Sequence, residues 1–144
     1  MTSNIGSSFI QDWDGQNFDK LENTLHGELN RHFRPEFINR IDDIVIFDRI
    51  QPGDMSYIVE VQLSQMLAQL KKSKDLQLEF TDKAKYALAE QGYDKAFGAR
   101  PLKRIIQKRI LDKLAKEIIS GNINEGNVVQ IDFQKDHFTL TTKK

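Results

Sequence analysis

The chain has 144 residues, the usual size of one globular domain, and it contains no cysteine, which excludes disulfide bridges and thiolate metal sites. Its 21 basic residues balance 21 acidic ones, so it lacks the positive excess typical of proteins that grip a nucleic acid backbone. No apolar stretch is long enough to span a bilayer and no signal peptide is evident, which together indicate a cytoplasmic protein that binds neither membrane nor nucleic acid.

The first predicted elements are a loop and a helix. Residues 1–8 are small and polar, a pattern that indicates the end of a strand and the loop after it. Residues 12–17 are rich in turn formers. Apolar residues then recur at helical spacing from Phe18 to Leu29, which predicts an amphipathic helix that ends near Phe33, ahead of Pro35.

The next predicted element is a strand at Ile44-Val45-Ile46-Phe47. The run is apolar without interruption and rich in β-formers, as in a strand that a parallel sheet covers on both faces. Residues 1–43 offer no other convincing strand. Either the rest of this sheet lies upstream of the chain, or the short apolar segment packs on the local helices.

The second half predicts a small α+β domain. A helix after Pro52-Gly53-Asp54 is followed by a half-buried strand at residues 76–80 and by a helix from the N-cap Thr81 to Gly92. A last long helix begins at Pro101 and carries apolar residues at four-residue steps, and Gly121 ends it. The alternation at 129–133 and 138–140 predicts a hairpin, so three strands in all.

The chain carries no self-sufficient catalytic motif. It has neither a phosphate-binding Gly-x-x-x-x-Gly-Lys-Ser/Thr loop nor a Gly-x-Ser-x-Gly elbow. The histidines have no partners at metal-ligand spacing, so no metal site is predicted. The last helix is basic, but without interleaved aromatic residues it indicates a solvated face and not a nucleic acid interface.

Three segments in this order resemble Clp-type AAA+ proteins: Thr2–Ser7, Phe33–Asp42 and Gly92–Arg104. The chain looks most like the C-terminal part of the second ATPase module of ClpB-type disaggregases, with ClpC-type unfoldases as a close alternative. The resemblance implies two parts. Residues 1–49 would be a helical and strand remnant of the large AAA+ α/β subdomain, and residues 50–144 would be the small C-terminal AAA+ domain.

The resemblance gives two residues of the first part a catalytic role. Asn4 matches sensor 1, the polar residue that orients the attacking water. Arg40 matches the arginine finger that reaches the nucleotide of the neighbouring subunit, where a planar guanidinium stabilises the charge of phosphoryl transfer. From the residues alone, a salt bridge from Arg40 to Asp42 or Asp43 is the alternative, and Arg34 is a second candidate for the finger.

In the second part, Arg100 matches sensor 2, which binds nucleotide in its own subunit, and Gly98 and Ala99 precede it at the helix N-terminus. A glycine there lets the backbone approach a ligand closely. Ile58 could border the adenine. The alternatives are an ordinary first-turn arginine that covers apolar surface and an ordinary core isoleucine.

The resemblance further implies ATP as the cofactor, with Mg²⁺ ligands outside this chain, and a hexameric ring of neighbouring subunits. Its substrates would be unfolded or aggregated proteins, gripped by upstream parts, with a chaperone partner or a peptidase as a further partner. The longer protein would hydrolyse ATP, whereas this chain alone would be inactive. Three alternatives are a regulatory ATPase subunit of a Clp protease, the AAA+ tail of a DNA-transaction ATPase, and a stand-alone protein-interaction module.

Overall fold

The structure is a computed structural model that describes residues 1–74 and 76–143, with the backbone alone for residues 72–74. The chain divides into two compact units, Met1–Arg49 and Ile50–Lys144. Each unit is described by itself below.

The first unit consists of helices joined by irregular chain. Its helices are α1 (Ser7–Asp12), α2 (Phe18–His32) and the single turn α3 (Pro35–Ile38). The predicted helix α2 is confirmed; its N-cap Asn17 accepts a hydrogen bond from the backbone N–H of Lys20. In residues 1–49, all of which are described, the buried apolar side chains are Leu21 and Leu25.

The strand predicted at 44–47 is wrong, because the structure has no strand among residues 1–49. Val45 and Phe47 are 68% and 78% exposed in irregular chain. A strand exists only when its N–H and C=O groups pair with a neighbour, and this unit offers none, so β propensity alone cannot form it. Likewise no strand precedes the loop at the N-terminus, and α1, which the sequence did not predict, follows directly.

The second unit is a three-stranded sheet with helices. After a 3₁₀ turn (Pro52–Asp54) come α4 (Met55–Lys74), β1 (Gln77–Phe80), α5 (Asp82–Gly92) and α6 (Arg100–Ile106). A π-helical turn (Gln107–Leu111) joins α6 to α7 (Asp112–Ile119), and the hairpin β2 (Val128–Gln134) and β3 (His137–Lys143) follows. The sheet order is β1-β2-β3, with β1 parallel and β3 antiparallel to β2. The predicted α+β class with a three-stranded sheet is confirmed.

The core of this unit lies between one face of the sheet and the helices. Alternation along the strands buries Leu78, Val129, Ile131 and Phe138. The helices contribute the rest of the largest fully buried side chains, which are Met55, Val59, Leu88, Leu102, Ile110 and Leu114. The stripe predicted on the last helix therefore faces the core.

The last helix is not uniformly α-helical, which corrects the prediction of one regular helix from Pro101. Its apolar residues recur at steps of four, and each such step overshoots one α-helical turn by about 40°. Leu102, Ile106, Ile110 and Leu114 nevertheless all stay at or below 5% exposure. The π-helical turn around Ile110 bonds i to i+5 and winds less per residue, so it reduces this drift and keeps the stripe on one side.

Thr81 joins α5 to the sheet. Its hydroxyl accepts a hydrogen bond from the backbone N–H of Ala84 as the N-cap of α5 and donates to Oδ1 of Asp132 at 2.6 Å. The pKa of Asp132 is lowered by this hydrogen bond first and then by one from Gln134. The charged carboxylate is therefore the form that the native structure favours, so its contribution to stability is lost as acid protonates it.

Replacement by alanine is expected to change the stability of the chain in opposite directions at Gly92 and Gly27. A Cβ on Gly92 would lie 2.7 Å from Cδ1 and 3.2 Å from Cα of Leu102, so α5 and α6 are in backbone contact there. We expect Gly92→Ala to destabilise the chain by about 1–3 kcal/mol through overpacking. Gly27, in α2, has open space, and Gly27→Ala is expected to stabilise by about 0.5–1 kcal/mol. Urea titration of both variants checks the signs; a neutral Gly92→Ala would contradict the close approach.

Candidate functional site

Arg100 is the first residue of α6, and its side chain is exposed. Among the described residues no carboxylate lies within 4.0 Å of its guanidinium. Ala99, the residue before it, is partly buried against the core. The backbone of Arg100 is thus anchored, while its charged group remains free for an external anion.

A closed turn leads into Arg100. Asp94 and Gly98 exchange two backbone hydrogen bonds, of 2.8 and 2.7 Å. Inside the turn, Oδ1 of Asp94 accepts hydrogen bonds from the backbone N–H groups of Ala96 and Phe97, at 2.8 and 2.9 Å. The N–H of Arg100 then donates to the carbonyl of Phe97. The position of Arg100 is therefore set by a chain of hydrogen bonds that starts at Asp94.

Gly98 lies at the end of this turn with φ +61°, a conformation that favours glycine. A Cβ added there would be 3.5 Å from Cδ1 of Ile50, so the turn packs on Ile50, which lies two residues before the 3₁₀ turn that leads into α4. Ile58 lies on that same helix, partly buried against the core. Gly98, Ala99 and Arg100 are consecutive, and the contact with Ile50 joins them to the start of the helix that carries Ile58.

Asp94 is not among the site residues predicted from the sequence, although a signal for it exists. Asparagine and aspartate commonly accept hydrogen bonds from N–H groups two or three residues later in turns. Asp94, in a segment bounded by Gly92 and Gly98, has this arrangement.

In the first unit, Arg40 follows α3 and is exposed. Within the described residues it makes no ion pair with Asp42 or Asp43 at 4.0 Å or less, so the salt bridge considered as an alternative is not formed. A shallow, open depression brings it together with the second candidate; it is lined by Arg34, Glu36, Phe37, Arg40 and Ile41. The ring of Phe37, in α3, stacks on the ring of Phe33 with centroids 4.9 Å apart.

Asn4 is exposed in the N-terminal loop. Its backbone carbonyl accepts a hydrogen bond from the N–H of Ser7, at the start of α1. No described hydrogen bond joins it to Arg40 or Arg34. The assignment of Asn4 as sensor 1 therefore rests on its sequence motif.

The basic residues of the last helix are mostly exposed, as expected for a solvated face; these are Lys103, Arg104, Lys108, Arg109 and Lys116. Lys113 differs, because its Nζ donates to the carbonyl of Phe138 at 2.8 Å and so ties α7 to β3. The described part of the chain contains no helix long and apolar enough to cross a membrane, and no cluster of three potential metal ligands.

Comparisons with known proteins agree with this architecture. Residues 50–131 match the family model described as the C-terminal, D2-small domain of ClpB protein. The chaperone protein ClpB of Agrobacterium fabrum is 42% identical in an alignment 144 positions long, which covers 99% of this chain and 16% of that protein. The negative regulator of genetic competence ClpC/MecB of Bacillus subtilis is 40% identical in an alignment 152 positions long, which covers 99% of this chain and 18% of that protein.

A solved structure of the Hsp104:casein complex of S. cerevisiae, in its extended conformation, matches with a TM-score of 0.84 and 35% identity. The match covers 100% of this chain and 25% of that one. The chain spans less than a fifth of the two curated relatives described above. The resemblance to Clp-type AAA+ proteins is confirmed: the chain belongs to the family of C-terminal D2-small domains of ClpB proteins.

Proposed function

We propose that the chain works as the C-terminal part of a subunit of an ATP-driven protein disaggregase. The observation that carries this proposal is the match of residues 50–131 to the D2-small domain of ClpB. The curated relatives are several times longer than this chain, so ATP hydrolysis and substrate handling would belong to the complete protein. The contribution of this chain would be nucleotide sensing.

Arg100 would bind the phosphates of ATP in its own subunit as sensor 2. Its guanidinium is exposed and has no carboxylate partner among the described residues, which suits an arginine that pairs with an external phosphate. Gly98 and Ala99 would bring the backbone close to the nucleotide, and Ile58 would border the adenine. ATP, with Mg²⁺ held by other parts of the protein, would supply the phosphoryl group.

Arg40 and Asn4 would serve the hydrolysis step from the first unit, Arg40 at the nucleotide of the neighbouring subunit. Among the described residues Arg40 makes no ion pair with Asp42 or Asp43, which supports this role. A guanidinium in an ion pair would have to break that pair before it could bind a phosphate. The domain organisation, a remnant of the large subdomain at 1–49 and a small domain at 50–144, belongs to the same proposal.

The surface of the first unit supports its membership in a larger subdomain. Over its described residues 1–49, the first unit buries only two large apolar side chains, both leucines, and it exposes several others, among them Phe9, Phe18, Phe37, Val45 and Phe47. Exposed apolar groups of this kind commonly mark contacts with other protein. In the complete protein this unit would pack on further parts of the AAA+ large subdomain.

The partners of the complete protein would be neighbouring subunits of a ring, which we take to be hexameric, and unfolded or aggregated proteins. Casein accompanies Hsp104 in the solved structure similar to this chain, which supports a protein substrate. We place the protein in the cytoplasm, without a nucleic acid or membrane partner.

A second candidate is the ATPase subunit of a Clp protease. It is favoured by the relatives named ClpC, such as the ATP-dependent Clp protease ATP-binding subunit of Staphylococcus epidermidis, 37% identical over 158 residues. Delivery of an unfolded protein to a peptidase by the complete protein would favour this candidate over a disaggregase.

The chain alone is expected to show no ATP hydrolysis above buffer, because its sequence has no phosphate-binding loop. The positive test is a hybrid subunit, in which this chain replaces the matching segment of Agrobacterium fabrum ClpB and the first ATPase module is inactivated, so that any ATP hydrolysis comes from the second module. We expect the hybrid subunit to assemble and hydrolyse ATP, and Arg100→Ala to weaken its affinity for ATP about tenfold. A hybrid that assembles without ATPase activity, or turnover by the chain alone that Arg100→Ala abolishes, would contradict the proposal.

A further inference from the structure

We infer that Asp94 is a positioning residue for Arg100: its carboxylate holds the turn 94–98 in the one shape that fixes where α6 begins. The effect on nucleotide rests on the proposed function of Arg100, whereas the effect on the turn does not.

The carboxylate is the central acceptor of the turn. Oδ1 of Asp94 accepts from two successive backbone N–H groups, Ala96 and Phe97, which no other described acceptor takes up. Hydrogen bonds to a charged acceptor are among the stronger ones in proteins. The turn encloses no core side chain, since Lys95, Ala96 and Phe97 are all exposed. Asp94 is therefore the group on which its shape depends.

Two separate contacts position Arg100, and the first of them comes from the turn. On one side, its N–H donates to the carbonyl of Phe97, a residue that Asp94 binds directly. On the other side, α6 is in contact with α5 where Leu102 meets Gly92. The contact at Gly92 fixes the body of α6, and the turn fixes its first residue. Ala99, as the N-cap, has no side-chain oxygen that could hold the first turn in place of Asp94.

Loss of the carboxylate should therefore leave the fold intact and release Arg100. Asp94 is outside the buried core, so Asp94→Ala removes two surface hydrogen bonds and no buried side chain. Asn keeps the acceptor oxygen and forms the same kind of turn, so Asp94→Asn should restore the wild-type behaviour. Lys95→Ala is the matched control, because it truncates an exposed side chain in the same turn that makes no described hydrogen bond.

The first test is amide hydrogen exchange of the 144-residue chain. In Asp94→Ala we expect the amide of Gly98, which donates to the carbonyl of Asp94, to exchange about tenfold faster than in wild type. The amides of the core strands should keep their rates, and so should Gly98 in Asp94→Asn and Lys95→Ala. Unchanged exchange at Gly98 in Asp94→Ala would overturn the inference, whatever nucleotide binding shows.

The second test is a double-mutant cycle on ATP affinity in the hybrid subunit. If the turn is formed in only a fraction of the molecules, the apparent affinity for ATP is reduced to that fraction of its full value. For Asp94→Ala we expect a loss of about tenfold. In the Arg100→Ala background, Asp94→Ala should cost nothing more. Equal losses in both backgrounds would show that Asp94 acts apart from Arg100 and would overturn the inference. If Arg100→Ala itself leaves ATP affinity unchanged, the proposed function fails, and exchange at Gly98 still decides the role of Asp94.

Discussion

The variant Ile110→Asp is expected not to fold in its second unit. Ile110 is 0% exposed, at the centre of the stripe that the last helix presents to the sheet and the neighbouring helices. Removing a buried isoleucine costs about 2–5 kcal/mol. The aspartate adds an unpaired buried charge, which costs about 3–5 kcal/mol more or forces the group to become protonated. The total is comparable to the whole stability of a typical domain, about 5–15 kcal/mol.

The neighbouring residue supplies the matched control. Arg109 belongs to the same π-helical turn but is exposed, so Arg109→Asp introduces the same side chain on the solvent side. Circular dichroism on heating should show a cooperative transition near the wild-type midpoint for Arg109→Asp and none for Ile110→Asp. Ile110→Val, which removes one methyl group, should cost only about 0.5–1.5 kcal/mol. A cooperative melt of Ile110→Asp within a few degrees of wild type would show that the stripe is not the core.

The elements that the sequence predicted correctly are those whose signal is local and whose partners lie in this chain. Alternation places Leu78 and Val129 on the buried face, and both strands find their neighbours within the second unit. Helix α2 likewise follows from its apolar spacing and from the break before Pro35. In each case periodicity and tertiary contact favour the same structure.

The errors arise where the decisive information is not local. Val45 and Phe47 have strong β propensity, but a strand needs a neighbour, and residues 1–49 contain none. The π-helical turn depends on how the stripe of four-residue steps meets the core, which no propensity encodes. The apolar spacing predicted a regular α-helix there. Spacing alone does not show whether the apolar stripe turns gradually around a regular helix or stays on one side because part of the helix is wound less tightly.

The candidate site shows the same division. Arg100 and Arg40 are proposed as site residues only because their motifs resemble those of a family, since an exposed arginine has many uses. The missing salt bridge of Arg40 became visible only in three dimensions, as did the hydrogen bonds that Asp94 makes ahead of Arg100. Freedom from partners is a property of the fold and not of the sequence.

The replacement of Arg40 by alanine is expected to reduce ATP turnover of the assembled hybrid subunit about a thousandfold while leaving nucleotide binding nearly intact. An arginine supplied across an interface stabilises charge that develops in the transition state of phosphoryl transfer, and such residues contribute about a thousandfold or more to the rate. Arg40→Lys should not restore turnover, because an ammonium lacks the planar pair of donors. Arg34→Ala is the matched control from the same depression, and we expect it to keep most of the activity.

Mixed rings determine whether Arg40 acts on the neighbouring subunit. One population carries Arg40→Ala, and the other keeps Arg40 but is inactivated in its own phosphate-binding loop, so neither alone hydrolyses ATP. In mixed rings some interfaces join an intact loop to an intact Arg40 of the neighbour, and partial turnover should return there.

The control experiment mixes Arg100→Ala subunits with the same loop variant. As the proposed sensor 2, Arg100 would act on the nucleotide of its own subunit, so no neighbour could compensate for its loss. No mixing ratio should then exceed the activity of Arg100→Ala subunits paired with intact neighbours. If the Arg40 mixture assembles and stays inactive at every ratio, Arg40 does not act across the interface, and a role within its own subunit becomes the better account of its exposed position after α3.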